Sequence, residues 1–232
     1  MPNADDPRIQ SGLADQARAR RAVLDGGARR LGWKAGLGTA AAMENVGTTE
    51  PISGFLTDAT LVADGGAVAV GGWGNARLEA EVAVRVGADV AAGATRDEVL
   101  AAVDAIAPAI ELVDLGAPDD LAAVLGGNVF HRAVLLGDFV ACPGGEGLAA
   151  ARLEVDAGDG EAATDVDPSV VLGDLAEVVR AIAAQLPLTD DALRAGDVVI
   201  TGAAIPAAAV APGGAARVAL AGGPAVSVRL VD

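Results

Sequence analysis

The sequence predicts an α+β fold built on a folded-over, largely antiparallel or mixed sheet, and two observations carry that expectation. At least six segments of strand character follow Lys34, against only two convincing helices. The strands are not regularly interleaved with helices, which disfavours a doubly wound parallel sheet. The residues are 52% hydrophobic but only 2% aromatic, so the core must be packed from Val, Leu, Ile and Ala. A chain of 232 residues suits one domain with a short appendage, here drawn as an N-terminal helical segment over 1–30 and a main domain over 31–232.

Taken in order, residues 12–25 predict a helix with Leu13, Ala17, Val23 and Leu24 loosely on one side, ended by Gly26 and Gly27, where helical order is costly. The stretch Gly32-Trp33-Lys34-Ala35-Gly36-Leu37-Gly38 reads as a loop at a site, because glycine permits close backbone approach. Leu78 to Val86 alternates as a strand. Thr95 followed by Glu98 makes a capping box, and Val99, Leu100, Val103 and Ile106 continue that helix until Pro108 stops it. Strands return over Ala109 to Leu115 and Ala133 to Leu136. Between Pro168 and Leu186, Val171, Leu172, Leu175, Val178, Val179, Ile182 and Leu186 recur at helical spacing and form a broad apolar stripe suited to packing on a sheet. Asp197 to Thr201, Ala216 to Leu220 and Ala225 to Val231 complete the strands, mostly between Gly or Pro turns.

The charge balance excludes one class of partner. With 32 acidic against 16 basic residues the formal charge is −16, which repels a phosphate backbone, so nucleic acid is not an expected partner. The N-terminal 34 residues run the other way, with seven basic and four acidic side chains, and are expected to lie against an acidic surface of this chain or of a neighbouring subunit. Cys142 is the single cysteine, so no disulfide forms within the chain. No apolar run approaches the roughly 18 residues a membrane helix needs, and no signal-like segment opens the chain. The expectation is a cytoplasmic protein without a membrane partner.

Candidate chemistry gathers at a few acids. In Leu78-Glu79-Ala80-Glu81-Val82 the apolar residues take one strand face and put Glu79 and Glu81 on the other, with Cα atoms about 6.5 to 7 Å apart. Two carboxylates that close repel unless a cation or proton lies between them. Glu111 stands among Ala109, Ile110, Leu112 and Val113, where an unpaired ionised carboxylate is costly to bury. Three oxygen donors without a nearby His or Cys suit a hard ion, Mg²⁺ or Mn²⁺. The alternative is a solvated strand face at Glu79 and Glu81, with Glu111 paired to an arginine.

Lys34 is the only lysine beside 15 arginines; a lysine can exchange protons where an arginine cannot, although one surface lysine could also persist by chance. His131, the only histidine, is a candidate acid or base or else a hydrogen-bonded structural residue. Asn128 could orient a substrate carbonyl or water, or serve a turn. Thr201 and Gly202, at a strand end, could hold a carboxylate. No P-loop, G-x-S-x-G elbow or post-strand G-x-G-x-x-G is present, so phosphoryl transfer, serine hydrolysis and dinucleotide redox lack support.

In sequence order, Gly32-Trp33-Lys34-Ala35-Gly36-Leu37, Glu50-Pro51 with Gly54 and Leu56, Arg77-Leu78-Glu79-Ala80-Glu81, Pro108-Ala109-Ile110-Glu111-Leu112-Val113 and Gly196-Asp197-Val198-Val199-Ile200-Thr201-Gly202 resemble the 2-oxopent-4-enoate hydratase and 4-oxalocrotonate decarboxylase group of fumarylacetoacetase-like enzymes. The resemblance covers roughly residues 30 to 230. It implies the mixed β-roll or β-sandwich of the fumarylacetoacetase C-terminal-like type with a few flanking helices, usually as a homo-oligomer, and a catalytic domain over 31–232. It also implies Glu79, Glu81 and Glu111 as ligands of Mg²⁺ or Mn²⁺, Lys34 as a proton-handling residue, and a small anionic 2-oxo acid or 2-hydroxydienoate as substrate.

This sequence departs from the group at several places. Pro51-Ile52-Ser53-Gly54 lacks the acid that usually follows the proline, and Gly127-Asn128-Val129-Phe130 keeps only the asparagine of Asp-Asn-x-Ser. The Gly-rich, His-Pro segment before the long helix is Ala163-Thr164-Asp165-Val166-Asp167-Pro168, and Ile205 replaces a glycine. His131 and Arg132 stand where the group does not usually place them, as candidates for a substitute proton carrier and an anion contact. A hydratase-type lyase is the expected activity; a decarboxylase, an acylpyruvate C–C hydrolase and a non-catalytic relative are the alternatives.

Overall fold

The computed structural model describes residues 5–116, 120–158 and 162–232. Its first element is helix α1 (Pro7–Asp25), which starts where Asp6 accepts a hydrogen bond from the Arg8 N–H and Pro7 fills the first turn. The chain then forms β1 (Arg30–Gly36), α2 (Ala40–Val46), β2 (Ile52–Thr57), β3 (Leu61–Val62), β4 (Gly66–Ala69) and β5 (Ala76–Val86). Next come α3 (Arg96–Ala102), β6 (Val103–Asp114), α4 (Leu121–Gly126), β7 (His131–Leu136), β8 (Val140–Ala141), β9 (Leu153–Asp156) and β10 (Ala162–Val166). The last elements are α5 (Pro168–Leu172), α6 (Leu175–Gln185), β11 (Val198–Ile200), β12 (Ala208–Ala209), β13 (Ala215–Leu220) and β14 (Ala225–Val231).

Two sheets follow. The larger runs β2-β1-β11-β5-β6-β7-β3, with β12 added to β5 and β8 to β6, and the smaller runs β10-β9-β13-β14-β4. Most pairs are antiparallel, but β1 with β11, β3 with β7 and β14 with β4 are parallel, so the sheets are mixed, as expected. Leu78, Ala80, Val82 and Val84 of β5, with Ile110 and Leu112 of β6, share one core with Val218, Val226, Val228 and Leu230 of the smaller sheet. The opposite face of β5 carries Glu79, Glu81 and Ala83; Ala83 joins Leu56, Ala107, Ala109, Val134, Val198 and Ile200 in a second apolar cluster.

Several sequence expectations are corrected. The stretch from Gly32 to Gly36 is not a loop but part of β1, held between β2 and β11. Gly32 is required there: at φ +151° a Cβ would stand 1.9 Å from the Val198 carbonyl oxygen. The helix begun by the Thr95–Glu98 capping box ends at Ala102, and Val103, Ile106 and Pro108 lie in β6. Pairing along β5, with Val84 opposite Ile106 and Val82 opposite Pro108, outweighs their local helical spacing. Pro108 is tolerated mid-strand because its carbonyl accepts from the Gly137 N–H on the side where the chain turns between β7 and β8, so no regular ladder bond there needs its missing N–H. The helix expected over 168–186 is two helices, broken at Gly173 (φ 72°, ψ −152°), after which Asp174 caps α6.

Strand β2 is the edge of the larger sheet yet fully buried. Its outward backbone groups are met by side-chain amides instead of a further strand. Gln185 Oε1 accepts from the Ser53 N–H, Gln16 Nε2 donates to the Ser53 carbonyl, and Asn128 both accepts from and donates to the Phe55 backbone. This closes an edge that would otherwise template pairing. The basic N-terminal region meets acids of its own chain: Arg20 and Arg30 pair with Asp191, and Arg30 also with Asp197. Both guanidinium groups lie over Trp33, at 4.8 and 5.4 Å from the ring centroid. Among the described residues no helix is long and apolar enough to cross a membrane.

Candidate metal centre

Two neighbouring strands supply the three acids. The antiparallel register sets Glu79 of β5 directly across from Glu111 of β6, and Glu81 across from Ala109. Side chains two apart on one strand, and opposite on its partner, share a face. One oxygen from each of the three carboxylates lies within 4.8 Å of the others. Glu81 and Glu111 are fully buried, whereas Glu79 lines a cavity of about 430 Å³ together with Lys34 and Gly202.

Lys34 enters from β1. Its ammonium donates to Glu111 Oε1 at 2.5 Å and to the Val129 carbonyl at 3.0 Å, leaving one of its three N–H bonds to spare. The stem passes because residue 54 is glycine: a Cβ there would stand 2.6 Å from Lys34 Cγ. His131, at the start of β7, reaches the same carboxylate oxygen with Nδ1 at 2.7 Å, while Nε2 lies 2.8 Å from Thr60 Oγ1. The Val129 carbonyl is aimed by a turn in which Asn128, Val129 and Phe130 all hold φ between 51° and 65°, a conformation that L-residues with side chains adopt at a cost.

The electrostatics separate the three acids. Burial pushes the Glu79 carboxyl up to about 7, with the charge of Glu111 adding to the rise and Lys34 opposing it. Burial likewise drives Glu81 well above the carboxylate range, reinforced by Glu111 and Glu79. Glu111 is as deeply buried, but Lys34 and His131 together outweigh that burial and hold it below its ordinary value. Its Oε1 is therefore satisfied. Glu111 Oε2 and Glu81 Oε1, in contrast, are buried without a hydrogen-bond partner, while Glu81 Oε2 accepts from the Gly202 N–H at 2.6 Å. Orphaned carboxylate oxygens beside a third acid fit a hard dication, which takes oxygen donors and offsets their mutual repulsion.

A pH dependence follows. Glu79 in the folded chain keeps its proton to about 7, whereas a glutamate in the unfolded chain loses it near 4.5. Between those values the folded state holds the extra proton, so the metal-free protein loses stability as pH rises through that window. A dication must displace the proton. The melting-temperature increment on adding Mn²⁺ is therefore expected to grow from pH 5.5 to 7.5, with affinity rising by up to about tenfold per pH unit for each proton released. An increment that stays flat over this range would show the acids already ionised without an ion.

The remaining candidates are placed less directly. Asn128 adjoins the site, but both ends of its amide are committed to the Phe55 backbone at 2.8 and 2.9 Å. The Thr201 hydroxyl donates to the Val82 carbonyl at 3.1 Å, so among the strand-end pair Gly202 alone faces the cavity, with its N–H on Glu81. Arg132 is not brought to the site: strand alternation buries His131 and leaves the Arg132 side chain 54% exposed, 3.5 Å from Asp114. Ile52, where an acid is usual, is packed with Ile9, Leu13 and Leu125 beneath α1. Sequence reasoning missed Thr60, the second partner of His131, and the apolar wall formed by Leu37, Phe130, Val171, Leu172 and Ile205. The Val171 and Leu172 helical stripe was a signal for that wall; for Thr60 nothing in the local sequence was.

A profile of the fumarylacetoacetate (FAA) hydrolase C-terminal family matches residues 32–231. A 4-oxalocrotonate decarboxylase of Pseudomonas putida is 32% identical over 216 residues, covering 91% of this chain and 81% of that protein. A 2-hydroxyhexa-2,4-dienoate hydratase of Comamonas testosteroni is 30% identical over 193 residues, covering 81% and 73%. Among solved structures, 4-oxalocrotonate decarboxylase from Pseudomonas putida G7, complexed with magnesium and adipate, superposes with a TM-score of 0.82 at 28% identity, covering 93% of this chain and 83% of that one.

Proposed function

Because the chain belongs to the fumarylacetoacetate hydrolase C-terminal family, we propose that it is a divalent-metal-dependent lyase acting on a small 2-oxo acid or 2-hydroxydienoate, of the hydratase type. The observation that carries this reading is the cluster of Glu79, Glu81 and Glu111 within 4.8 Å, with two buried oxygens unpartnered and Lys34 beside them on a cavity wall. Relatives named as a hydratase and a decarboxylase support the reaction class, and the magnesium in a solved relative supports Mg²⁺ or Mn²⁺ as the ion. With the reading go a homo-oligomeric assembly, implied by the resemblance, and a cytoplasmic location.

In this reading Glu79, Glu81 and Glu111 hold the ion. When bound, a divalent cation supplies Lewis acidity to the 2-oxo group of the substrate and charge to its carboxylate. Lys34 exchanges a proton with the bound acid through the N–H left over from Glu111 and Val129, its position fixed by those two bonds. The walls beyond these groups are largely apolar, with Leu37, Phe130, Val171, Leu172 and Ile205.

His131 acts through Glu111. Both ring nitrogens are engaged, one with Glu111 and one with Thr60, so it orients a ligand and is not itself in reach of the cavity. Replacing His131 with Phe is expected to weaken Mn²⁺ binding by about 10- to 100-fold, the usual cost of losing a ligand's outer partner. Unchanged Mn²⁺ affinity with reduced turnover would instead make His131 a proton carrier.

Two measurements test the whole reading. Mg²⁺ or Mn²⁺ should raise the melting temperature and EDTA reverse it. An ultraviolet assay with 2-hydroxypentadienoate, oxaloacetate and an acylpyruvate then distinguishes hydratase, decarboxylase and hydrolase. Consumption of 2-hydroxypentadienoate is the expected result; no metal response and no turnover of any of the three would leave a non-catalytic family member.

A further inference from the structure

We propose that the cavity selects 2-oxo acids with an uncharged apolar tail and rejects those with a second carboxylate, and that the wall built by α5 and the segment after β11 makes the choice; this rests on the metal-dependent reading above. Lys34 is the only cation among the described residues lining the cavity, and it is committed to Glu111 and Val129 at its charged end. The rest of the lining is almost wholly apolar, with Leu37, Val113, Phe130, Val171, Leu172 and Ile205 facing the space a tail would occupy. The segments 117–119 and 159–161 contain no Lys, Arg or His, so neither could bring a basic side chain to this wall.

The wall is a product of the broken helix. Because Gly173 turns out of α5 with φ 72°, Val171 and Leu172 are detached from the α6 stripe and close the cavity beside Leu37 and Ala42. Just beyond, a groove that shares Gly38 and Leu172 with the cavity is lined by Glu50, Asp174 and Glu177. Its single arginine, Arg180, is held by Glu177 at 2.5 Å. A tail carboxylate would thus lose its water against hydrocarbon and find beyond it acids already paired, Asp174 with Arg96 and Glu177 with Arg180, and no uncommitted cation among the described lining residues. A methyl-terminated tail loses nothing and buries apolar area, worth roughly a threefold to fourfold gain in affinity per methylene.

The test is isothermal titration of the Mn²⁺-loaded protein with saturated probes. Affinity is expected to rise by about threefold per carbon from pyruvate through 2-oxobutanoate and 2-oxopentanoate to 2-oxohexanoate. At equal chain length, 2-oxoglutarate and 2-oxoadipate should bind at least about tenfold more weakly than 2-oxopentanoate and 2-oxohexanoate. A Val171→Arg variant, changed on a partly exposed helix, should close that gap by supplying the missing cation. Dicarboxylates that bind the wild-type protein as tightly as the monoacids would overturn this inference and leave the metal-dependent reading intact. Failure of every 2-oxo acid to bind would remove both.

Discussion

Replacing Glu111 with Gln is expected to weaken Mn²⁺ binding by more than about 100-fold, since even an outer partner of a ligand is worth 10- to 100-fold, and to abolish turnover with it. The position carries this effect because three functions meet there. Glu111 Oε1 takes Lys34 at 2.5 Å and His131 at 2.7 Å, its Oε2 is buried without a hydrogen-bond partner, and one of its oxygens lies within 4.8 Å of an oxygen of each of the other two acids. Glutamine preserves shape and one acceptor but removes the charge that offsets a buried ammonium. The metal-free variant should therefore also melt lower, although removing Glu111 relieves the repulsion that raises Glu79 and Glu81. Breaking a buried pair typically costs about 3 to 5 kcal/mol, so loss of the pair should outweigh the relief. Titration calorimetry decides the matter: wild-type Mn²⁺ affinity in the glutamine variant would dismiss the three-acid site.

Lys34→Met should separate chemistry from metal binding. Removal of a general acid or base costs about 10²- to 10⁴-fold in turnover, and that loss is expected here. Mn²⁺ affinity should not fall, because the ammonium is a positive charge beside the metal's own ligands. Lys34→Arg should fail to restore turnover, since a guanidinium does not give up its proton near neutral pH. An arginine variant with near wild-type turnover would mean that Lys34 contributes only charge. Opposite patterns in the Glu111 and Lys34 variants, one losing the ion and the other only the rate, would assign each residue its part.

The site was legible in proportion to how local its cause is. Glu79 and Glu81 sit on one face because strand side chains alternate, a rule that needs no partner. Glu111 was suspect because an acid amid Ile110, Leu112 and Val113 must find a cation. The capping box at Thr95 and Glu98 formed as expected. What failed was length. Val103 and Ile106 have helical spacing, but eleven residues of β5 offer them hydrogen bonds and apolar partners. The glycines around Lys34 looked like a loop because their purpose, letting Val198 and the Lys34 stem approach, depends on strands distant in sequence.

By itself, then, the sequence determined the α+β class, the face shared by two acids, the aliphatic core and the motif order that marks the family, all of which depend on composition, period and spacing along the chain. The tertiary structure alone decided that Glu111 stands across from Glu79, that Lys34 and His131 converge on one carboxylate oxygen, that Arg132 faces away, and that Val171 and Leu172, on a helix cut off from α6 at Gly173, wall the cavity. Those outcomes rest on strand register and on one left-handed glycine. Register is settled by which of many distant pairings buries the most apolar surface at once, a quantity that no stretch of sequence contains until the chain has closed on itself.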